Sequence, residues 1–296
     1  MPNDYLRLCL ARLVRREDLT RDEAALLLSS LLETDATDGQ IAATLAALAA
    51  KGETDVELAG MATALRARAL PLNTNHECFI DTAGTGSSTA KTFNISTAAA
   101  FVIAGAGLPV AKHGNRAASS RSGSADVLTA LGVNVSSTPE VSENCLHELG
   151  ICFMFAPLYH GATARVAGVR RELGIHTVFN LLGPLSNPAR APRQIIGVWS
   201  RHLTERLANT LAQLGTKCAW VVHGLDGLDE ITLADKTHVA EVRDGNVRTF
   251  DVAPEDFGLA RGSLTSLRGG DPAANAKIIR SVLSGARKDE ARSLIL

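Results

Sequence analysis

No Cys-x-x-Cys pair occurs in this chain, and Cys9, Cys78, Cys145, Cys152 and Cys218 form an odd, scattered set. That argues against a disulfide framework or a structural zinc site and suits a reducing compartment. Excess charge of either sign is absent too. The 30 basic and 31 acidic side chains leave a net charge of -1 and a pI near 6.7, so no whole-protein field draws the chain to nucleic acid or an anionic membrane. No apolar run is long enough to span a bilayer. The N-terminal stretch MPNDYLRLCLARLVRRED carries charges inside every apolar segment and so lacks the core of a signal peptide. Internal repeats and low-complexity tracts are missing as well. The expectation is a soluble, cytoplasmic, globular protein. Its 296 residues, 46% hydrophobic, can fill one large domain or a large domain with a smaller partner.

What the chain does have is a repeated local device. Thr20-x-x-Glu23, Thr37-x-x-Gln40 and Thr54-x-x-Glu57 each read as a capping box, in which the threonine hydroxyl accepts a first-turn N–H and the acid or amide reaches back. Helices are expected over about Arg21–Glu33, Asp38–Ala50 and Asp55–Arg68. Pro71 and Asn73 break that pattern. From Cys78 onward short apolar runs alternate with helical segments: strands at Cys78–Asp81, Leu108–Ala111, Ile151–Phe155, Gln194–Trp199 and Ala219–Val222, helices at Ser96–Ala106, Ser124–Leu131 and Thr204–Leu214. This is the texture of β-α units around a mainly parallel sheet. His238–Arg243 and Val247–Val252, joined through Asp244-Gly245-Asn246, read as an antiparallel hairpin.

In an open α/β sheet ligands bind beyond the carboxyl ends of the strands, which directs attention to the loops that follow them. In DTAGTGSSTAKTFNIST, Gly84-Thr85-Gly86-Ser87-Ser88 precedes Thr92, Asn94, Ser96 and Thr97 at a helix start. Glycines admit a phosphate to backbone N–H groups, hydroxyls add donors, and the helix N-terminus adds positive potential. A plain turn with an N-cap explains the same residues, since G-x-G-x-x-G and a P-loop lysine are both incomplete. The second loop, Lys112-His113-Gly114-Asn115-Arg116 with Ser119, Ser120, Ser122, Gly123 and Ser124, brings its own cations. Its alternative is a solvated basic turn. In His223-Gly224-Leu225-Asp226-Gly227-Leu228-Asp229-Glu230, the adjacent Asp229 and Glu230 suit hydrated Mg²⁺ or simply an acidic surface turn. Arg165, Arg170 and Arg171, ahead of Phe179-Asn-Leu-Leu-Gly-Pro184, offer a fork for a carboxylate or a solvated helix face.

Taken in order, Thr92-Phe-Asn-Ile-Ser-Thr97, Lys112-His-Gly-Asn-Arg116, Ser122-Gly-Ser124, Val169-Arg-Arg-Glu-Leu-Gly174, Phe179-Asn-Leu-Leu-Gly-Pro184, Val222-His-Gly224 and Gly227-Leu-Asp-Glu230 resemble the anthranilate phosphoribosyltransferases from about residue 6 to about residue 285. The resemblance implies a small helical domain, residues 1–72 joined by a helical segment near 158–190, and an α/β phosphoribosyl-binding domain, residues 73–157 and 191–296. It also implies dimerisation through the helical part and transfer of the ribosyl phosphate of phosphoribosyl pyrophosphate to the amino group of anthranilate.

Carried over position by position, it assigns Gly84, Ser87, Ser88, Thr92, Asn94, Ile95, Ser96, Thr97, Lys112, His113, Gly114, Asn115, Arg116, Ala117, Ala118, Ser119, Ser120 and Ser124 to the ribosyl donor, with Lys112 stabilising charge. Ser96, Asp229 and Glu230 would hold Mg²⁺, and Gly84, Asn115 and Arg170 would meet anthranilate. No acid or base is assigned. Three departures stand out: Gly84-Thr-Gly-Ser-Ser88 replaces the usual G-T-G-G-D, His160-Gly161-Ala162 replaces H-P-A, and the sequence stops at Leu296, before the family's customary last helices. A pyrimidine nucleoside phosphorylase shares the fold but does not call for the acidic pair. A non-catalytic nucleic-acid-binding relative would carry a basic face.

Overall fold

The computed structural model describes residues 3–86, 91–117 and 121–296. The chain opens with α1 (Asp4–Leu13), α2 (Arg21–Leu31), α3 (Asp38–Lys51) and α4 (Asp55–Arg68). All three expected capping boxes form, each threonine accepting the N–H three residues on. The third is recruited into the core. Glu57 is fully buried, accepting the Leu19 N–H at 2.9 Å and Lys51 Nζ at 2.8 Å, so the cap also ties down the loop before α2. Helices α2 and α4 cross closely at Gly60, where a Cβ would lie 2.1 Å from the Arg21 carbonyl oxygen. The capping-box signal does not reach α1, which Asn3 caps by accepting the Leu6 N–H.

There follow β1 (Ile80–Gly84), α5 (Ile95–Gly105), β2 (Val110–Gly114), α6 (Ser124–Ala130), α7 (Pro139–Leu149), β3 (Ile151–Phe155), α8 (Ala156–Tyr159), α9 (Ala164–Leu173), α10 (Val178–Leu185), β4 (Arg193–Gly197), α11 (His202–Gln213), β5 (Cys218–Gly224), β6 (Thr237–Arg243), β7 (Asn246–Val252), α12 (Pro272–Leu283) and α13 (Glu290–Ile295). The seven-stranded sheet has the order β3-β2-β1-β4-β5-β6-β7. Its β3-β2-β1-β4-β5 portion is parallel, and β5-β6-β7 is antiparallel. The hairpin is where the Asp-Gly turn puts it. One face of the sheet shares a core with α1 to α4, α9, α10 and α11. On the other face α5 covers β1 and β2, and α6, α12 and α13 pack on α5.

Two strand ends correct the sequence reading. Expected at Cys78–Asp81 and Leu108–Ala111, β1 and β2 run on to Gly84 and Gly114, so Lys112, His113 and Gly114 stand in a strand and not in the loop after it. An apolar-run criterion stops at the first charge. Here Asp81, Lys112 and His113 are buried because each finds a polar partner inside the fold.

Candidate functional site

Strand order reverses between β1 and β4: the chain steps outward from β1 to β2 and β3, then returns to the other side of β1 for β4 and β5. A crevice opens at the carboxyl edge of such a switch. The four parallel strands around it end in glycine, at Gly114, Gly84, Gly197 and Gly224. At Gly197 the reason is contact. A Cβ there would lie 1.7 Å from the Asp229 carbonyl oxygen, so only glycine lets the acidic loop seat on the end of β4.

The first loop leaves β1 through Gly84 and is pinned across the switch by Thr85, whose N–H and hydroxyl both donate to the Gly197 carbonyl, at 2.9 and 3.1 Å. Ser87 and Ser88, where the sequence departs from G-T-G-G-D, lie outside the described residues. Thr92 bridges to Arg268, and Asn94 occupies the N-cap of α5 without capping it by its side chain. That side chain braces instead. Its amide donates to the Ser122 carbonyl, and its oxygen accepts from Ser122 Oγ and Asn275 Nδ2 at 3.1 and 3.0 Å. Ile95, Ser96 and Thr97 form the first turn of α5, which Asn94 does not cap; the Ile95 N–H donates to the Phe93 carbonyl and the Ser96 N–H to Glu230.

On β2, Lys112 points toward α5. It is 4% exposed, its ammonium donates to the Thr82 carbonyl, and Ser96 Oγ lies 3.5 Å away. Burial lowers its pKa while Asp81 and Glu230 pull it back up. His113 points to the opposite face. Its Nδ1–H donates to the Gly183 carbonyl, which leaves the Nε2 lone pair buried with no partner among the described residues. Burial, the nearby His160 and Lys112 push His113 down to about 3, so it stays neutral. Beyond Gly114 the loop folds onto α6: Ser124 Oγ and the Ala125 N–H donate to the Asn115 carbonyl, and Asp126 accepts from Ala117 N–H, Gly123 N–H and Arg116. Arg116 also covers the Phe155 ring. Ala118, Ser119 and Ser120 lie outside the described residues.

The acidic loop meets these groups. Glu230 is pushed up to about 8, first by burial and then by Asp229, against the pull of Lys112 and the Ser96 N–H. Glu230, crowded by Asp229 and joined to the Ser96 N–H, belongs to a set of hard oxygen donors. Among the described residues no group of three or more His, Cys, Asp or Glu could hold a metal alone. Mg²⁺ fits that set, because it keeps waters and takes its remaining ligands from phosphates. The third carboxylate, Asp226, is engaged locally by the Leu228 N–H and Thr232.

The arginines divide. Arg165 pairs with Asp38 at 2.8 Å and donates to the Ala36 carbonyl, holding α9 to the helix bundle. Arg170 is partly buried over the Phe179 ring, 5.0 Å from its centroid, and has no carboxylate partner among the described residues. Desolvation lowers its pKa, the mark of a guanidinium that lacks an anion. Two polar residues at this site, Asp81 and Asn187, escape a reading of the sequence and are buried beneath the two loops. His160, noted in the sequence only for its place in the departure from H-P-A, has its ring centre 5.1 Å from that of His113 and a buried Nδ1 with no partner among the described residues. A charge inside the β1 apolar run is the available signal for Asp81.

Comparison with known proteins agrees with this geometry. Residues 7–69 match the helical bundle domain of a glycosyl transferase family, and residues 76–296 match its a/b domain. The anthranilate phosphoribosyltransferase of Moorella thermoacetica is 50% identical over 291 residues, 98% of this chain and 86% of that protein. That of Anaeromyxobacter dehalogenans is 54% identical, over 93% of this chain and 82% of its own. Among solved structures, the Thermus thermophilus enzyme superposes with a TM-score of 0.90 at 40% identity, covering 97% of this chain and 85% of that one. The Saccharomyces cerevisiae enzyme, solved in complex with PRPP and Mg, superposes at 0.89 and 28% identity, covering 99% and 86%. Both halves of the chain are thus matched in one family, about half its residues recur in proteins of one activity, and the chain belongs to the anthranilate phosphoribosyltransferases.

Proposed function

We infer that the protein moves the 5-phosphoribosyl group of phosphoribosyl pyrophosphate onto the amino nitrogen of anthranilate, releasing pyrophosphate, a step of tryptophan biosynthesis. The observation that carries this is the meeting of Lys112, Ser96 and Glu230 where the end of β2, the start of α5 and the loop after β5 come together. Displacement at an anomeric carbon passes through an oxocarbenium-like state, so the leaving pyrophosphate needs its charge met in place. Lys112, buried beside the start of α5, supplies that charge. Gly84, Thr92, Asn94 to Thr97 and the Lys112–Ala117 strand end line the donor side, Asn94 by bracing and the others by backbone or charge. Mg²⁺, held by Ser96, Asp229 and Glu230, would supply Lewis-acid neutralisation of the pyrophosphate oxygens. Neutral His113 adds no positive charge that would oppose the developing cation.

Anthranilate's arylamine is neutral at pH 7 and attacks without a strong base, losing its proton as the N–C bond forms and the C–O bond breaks. Positioning suffices. Arg170, with no acid among the described residues, suits the benzoate carboxylate, and Asn115 and Gly84 are assigned to the acceptor with it. Arg170→Ala is expected to raise KM for anthranilate by about thirtyfold while KM for the ribosyl donor changes less than threefold, since one charge-assisted bond is removed from one substrate. Equal rises in steady-state measurements on both substrates would refute the assignment.

The raised pKa of Glu230 gives a second expectation. A carboxyl whose folded pKa is about 8 and whose unfolded value is near 4.5 lowers stability progressively as pH rises between them. In EDTA at pH 8.5, Glu230→Gln should melt several degrees above the wild type, and the gain should shrink toward pH 5 or on adding Mg²⁺. A variant that melts lower at every pH would remove Glu230 from this role.

The chain is read as a homodimer through its helical part, where Leu8, Val14 and Leu26 are 67%, 70% and 56% exposed; a monomer mass in sedimentation would contradict it. Among the described residues no helix is long and apolar enough to cross a membrane, and the free cysteines suit the cytoplasm. The function itself is tested by mixing protein, Mg²⁺, phosphoribosyl pyrophosphate and anthranilate and following anthranilate fluorescence. Loss that requires the donor and yields pyrophosphate mole for mole is expected. Fluorescence unchanged, with a pyrimidine nucleoside cleaved by phosphate instead, would overturn it.

A further inference from the structure

Strands β1 and β2 are neighbours, yet their ladder registers at Ile80↔Val110 alone, whereas β1 and β4 pair over five residues, Ile80 to Gly84. The two strands diverge just short of the loops assigned to the ribosyl donor. Backbone groups left on either side of the gap cannot stay unpaired in a buried sheet. Side chains take them. The His113 N–H donates to Asp81 Oδ1 at 3.2 Å, the Ala111 carbonyl accepts from Asn187 Nδ2 at 2.9 Å, and the Thr82 carbonyl accepts from Lys112 Nζ. Asn187 Nδ2 also donates to Asp81 Oδ2 at 2.7 Å, which joins the Asp81 and Asn187 contacts in one buried network. Asp81 and Asn187 are 0% and 1% exposed. Asn187 stands on the segment that leads from α10 to β4, and its Oδ1 is fixed by the Ala189 N–H at 2.9 Å. A few residues earlier, within α10, the Gly183 carbonyl holds His113.

We propose that Asp81 and Asn187 are positioning residues which fix the spread between β1 and β2, and with it the distance between the two loops that grip the ribosyl donor. Neither touches the ligand. A continued ladder would draw Gly84 and Gly114 to ordinary strand spacing, about 4.8 Å, and close the space between their loops. The buried carboxylate and amide wedge it open at a set width and tie that width to the acceptor-side helix α10. This inference rests on the assignment of both loops to phosphoribosyl pyrophosphate.

The test is calorimetric titration of phosphoribosyl pyrophosphate with Mg²⁺ into the full chain, alongside steady-state kinetics. Asn187→Leu keeps the branched shape and removes every side-chain hydrogen bond; Asp81→Asn sets two amides face to face. Each should weaken donor binding roughly thirtyfold, as expected when a buried polar group loses its partner. In the kinetics the loss should fall on KM for the ribosyl donor, with KM for anthranilate within threefold of wild type, a split that a general loss of structure would not give. Leu45→Ala, a cavity in the helix bundle far from the site, controls for lost stability: it should lower the melting temperature and leave donor affinity unchanged. If Asn187→Leu does not fold, Asn187→Ser takes its place. Donor affinity within threefold of wild type in the folded variants, or KM values that rise equally for both substrates, overturns the proposal. A wild type that does not bind the donor would instead overturn the functional reading on which it rests.

Discussion

Lys112→Met should lower kcat/KM for phosphoribosyl pyrophosphate by about a thousandfold while leaving the melting temperature within a few degrees of wild type. Methionine is unbranched like lysine, one atom shorter, and lacks the ammonium group. The ammonium is almost wholly buried, and the low dielectric around it makes its field on a departing pyrophosphate much larger than that of a surface lysine. Stability moves little because two effects oppose each other. The Thr82 carbonyl loses its donor, but the fold no longer desolvates a cation, and replacing a buried charge by an apolar group of similar volume is often neutral or stabilising. Stopped-flow or steady-state rates beside a thermal melt separate the outcomes. A variant that unfolds in proportion to its lost activity would make Lys112 a structural residue.

Gly197→Ala should be nearly as damaging, although it removes no functional group. A methyl placed 1.7 Å from the Asp229 oxygen and 2.7 Å from its carbonyl carbon meets backbone, which cannot rotate away as a flexible side chain would. The loop carrying Asp229 and Glu230 must lift off the end of β4. A shift of about an ångström at the pair proposed to hold Mg²⁺ should cost on the order of a hundredfold in rate, and more Mg²⁺ should be needed to reach half-maximal activity. Gly39→Ala is the control, since nothing lies within 4 Å of its Cβ on the helix bundle. If Gly197→Ala keeps the wild-type Mg²⁺ dependence, the acidic loop is not seated as described.

Much of this arrangement is readable from the sequence. The capping boxes at Thr20, Thr37 and Thr54 locate three helices because the signal is local, two residues three apart. The Asp-Gly turn locates the β6-β7 hairpin for the same reason. Helix α7, absent from the expected elements, carries an equally local signal in Thr138 before Pro139 at the first helical position. The ends of β1 and β2 escape for a different cause. Asp81, Lys112 and His113 look like loop residues until their partners are known, and those partners, Asn187, Thr82 and Gly183, stand between 30 and 106 residues away.

The loops themselves stand out in the sequence because glycine, small hydroxyls and a helix start occur together there, the mixture that the proposed phosphate site needs. Their supports are not. Nothing in the sequence shows that Asn94 turns its side chain to Ser122 and Asn275, or that Arg165 is absorbed by Asp38 while Arg170 is left without an acid among the described residues. Composition likewise hides the role of Gly197, which becomes evident only when Asp229 is seen resting on it.

The central claim is that Lys112 on β2 and Glu230 on the loop after β5 act on one ligand. It is tested most directly by a double-mutant cycle in which phosphoribosyl pyrophosphate, with Mg²⁺, is titrated into the wild type, Lys112→Met, Glu230→Gln and the double variant. Each single change should weaken binding by at least about thirtyfold, and the double variant should be tighter than the product of the two losses by about tenfold, because both groups meet the same pyrophosphate. Losses that multiply without interaction, or a Glu230→Gln variant that binds like the wild type, would contradict the shared site.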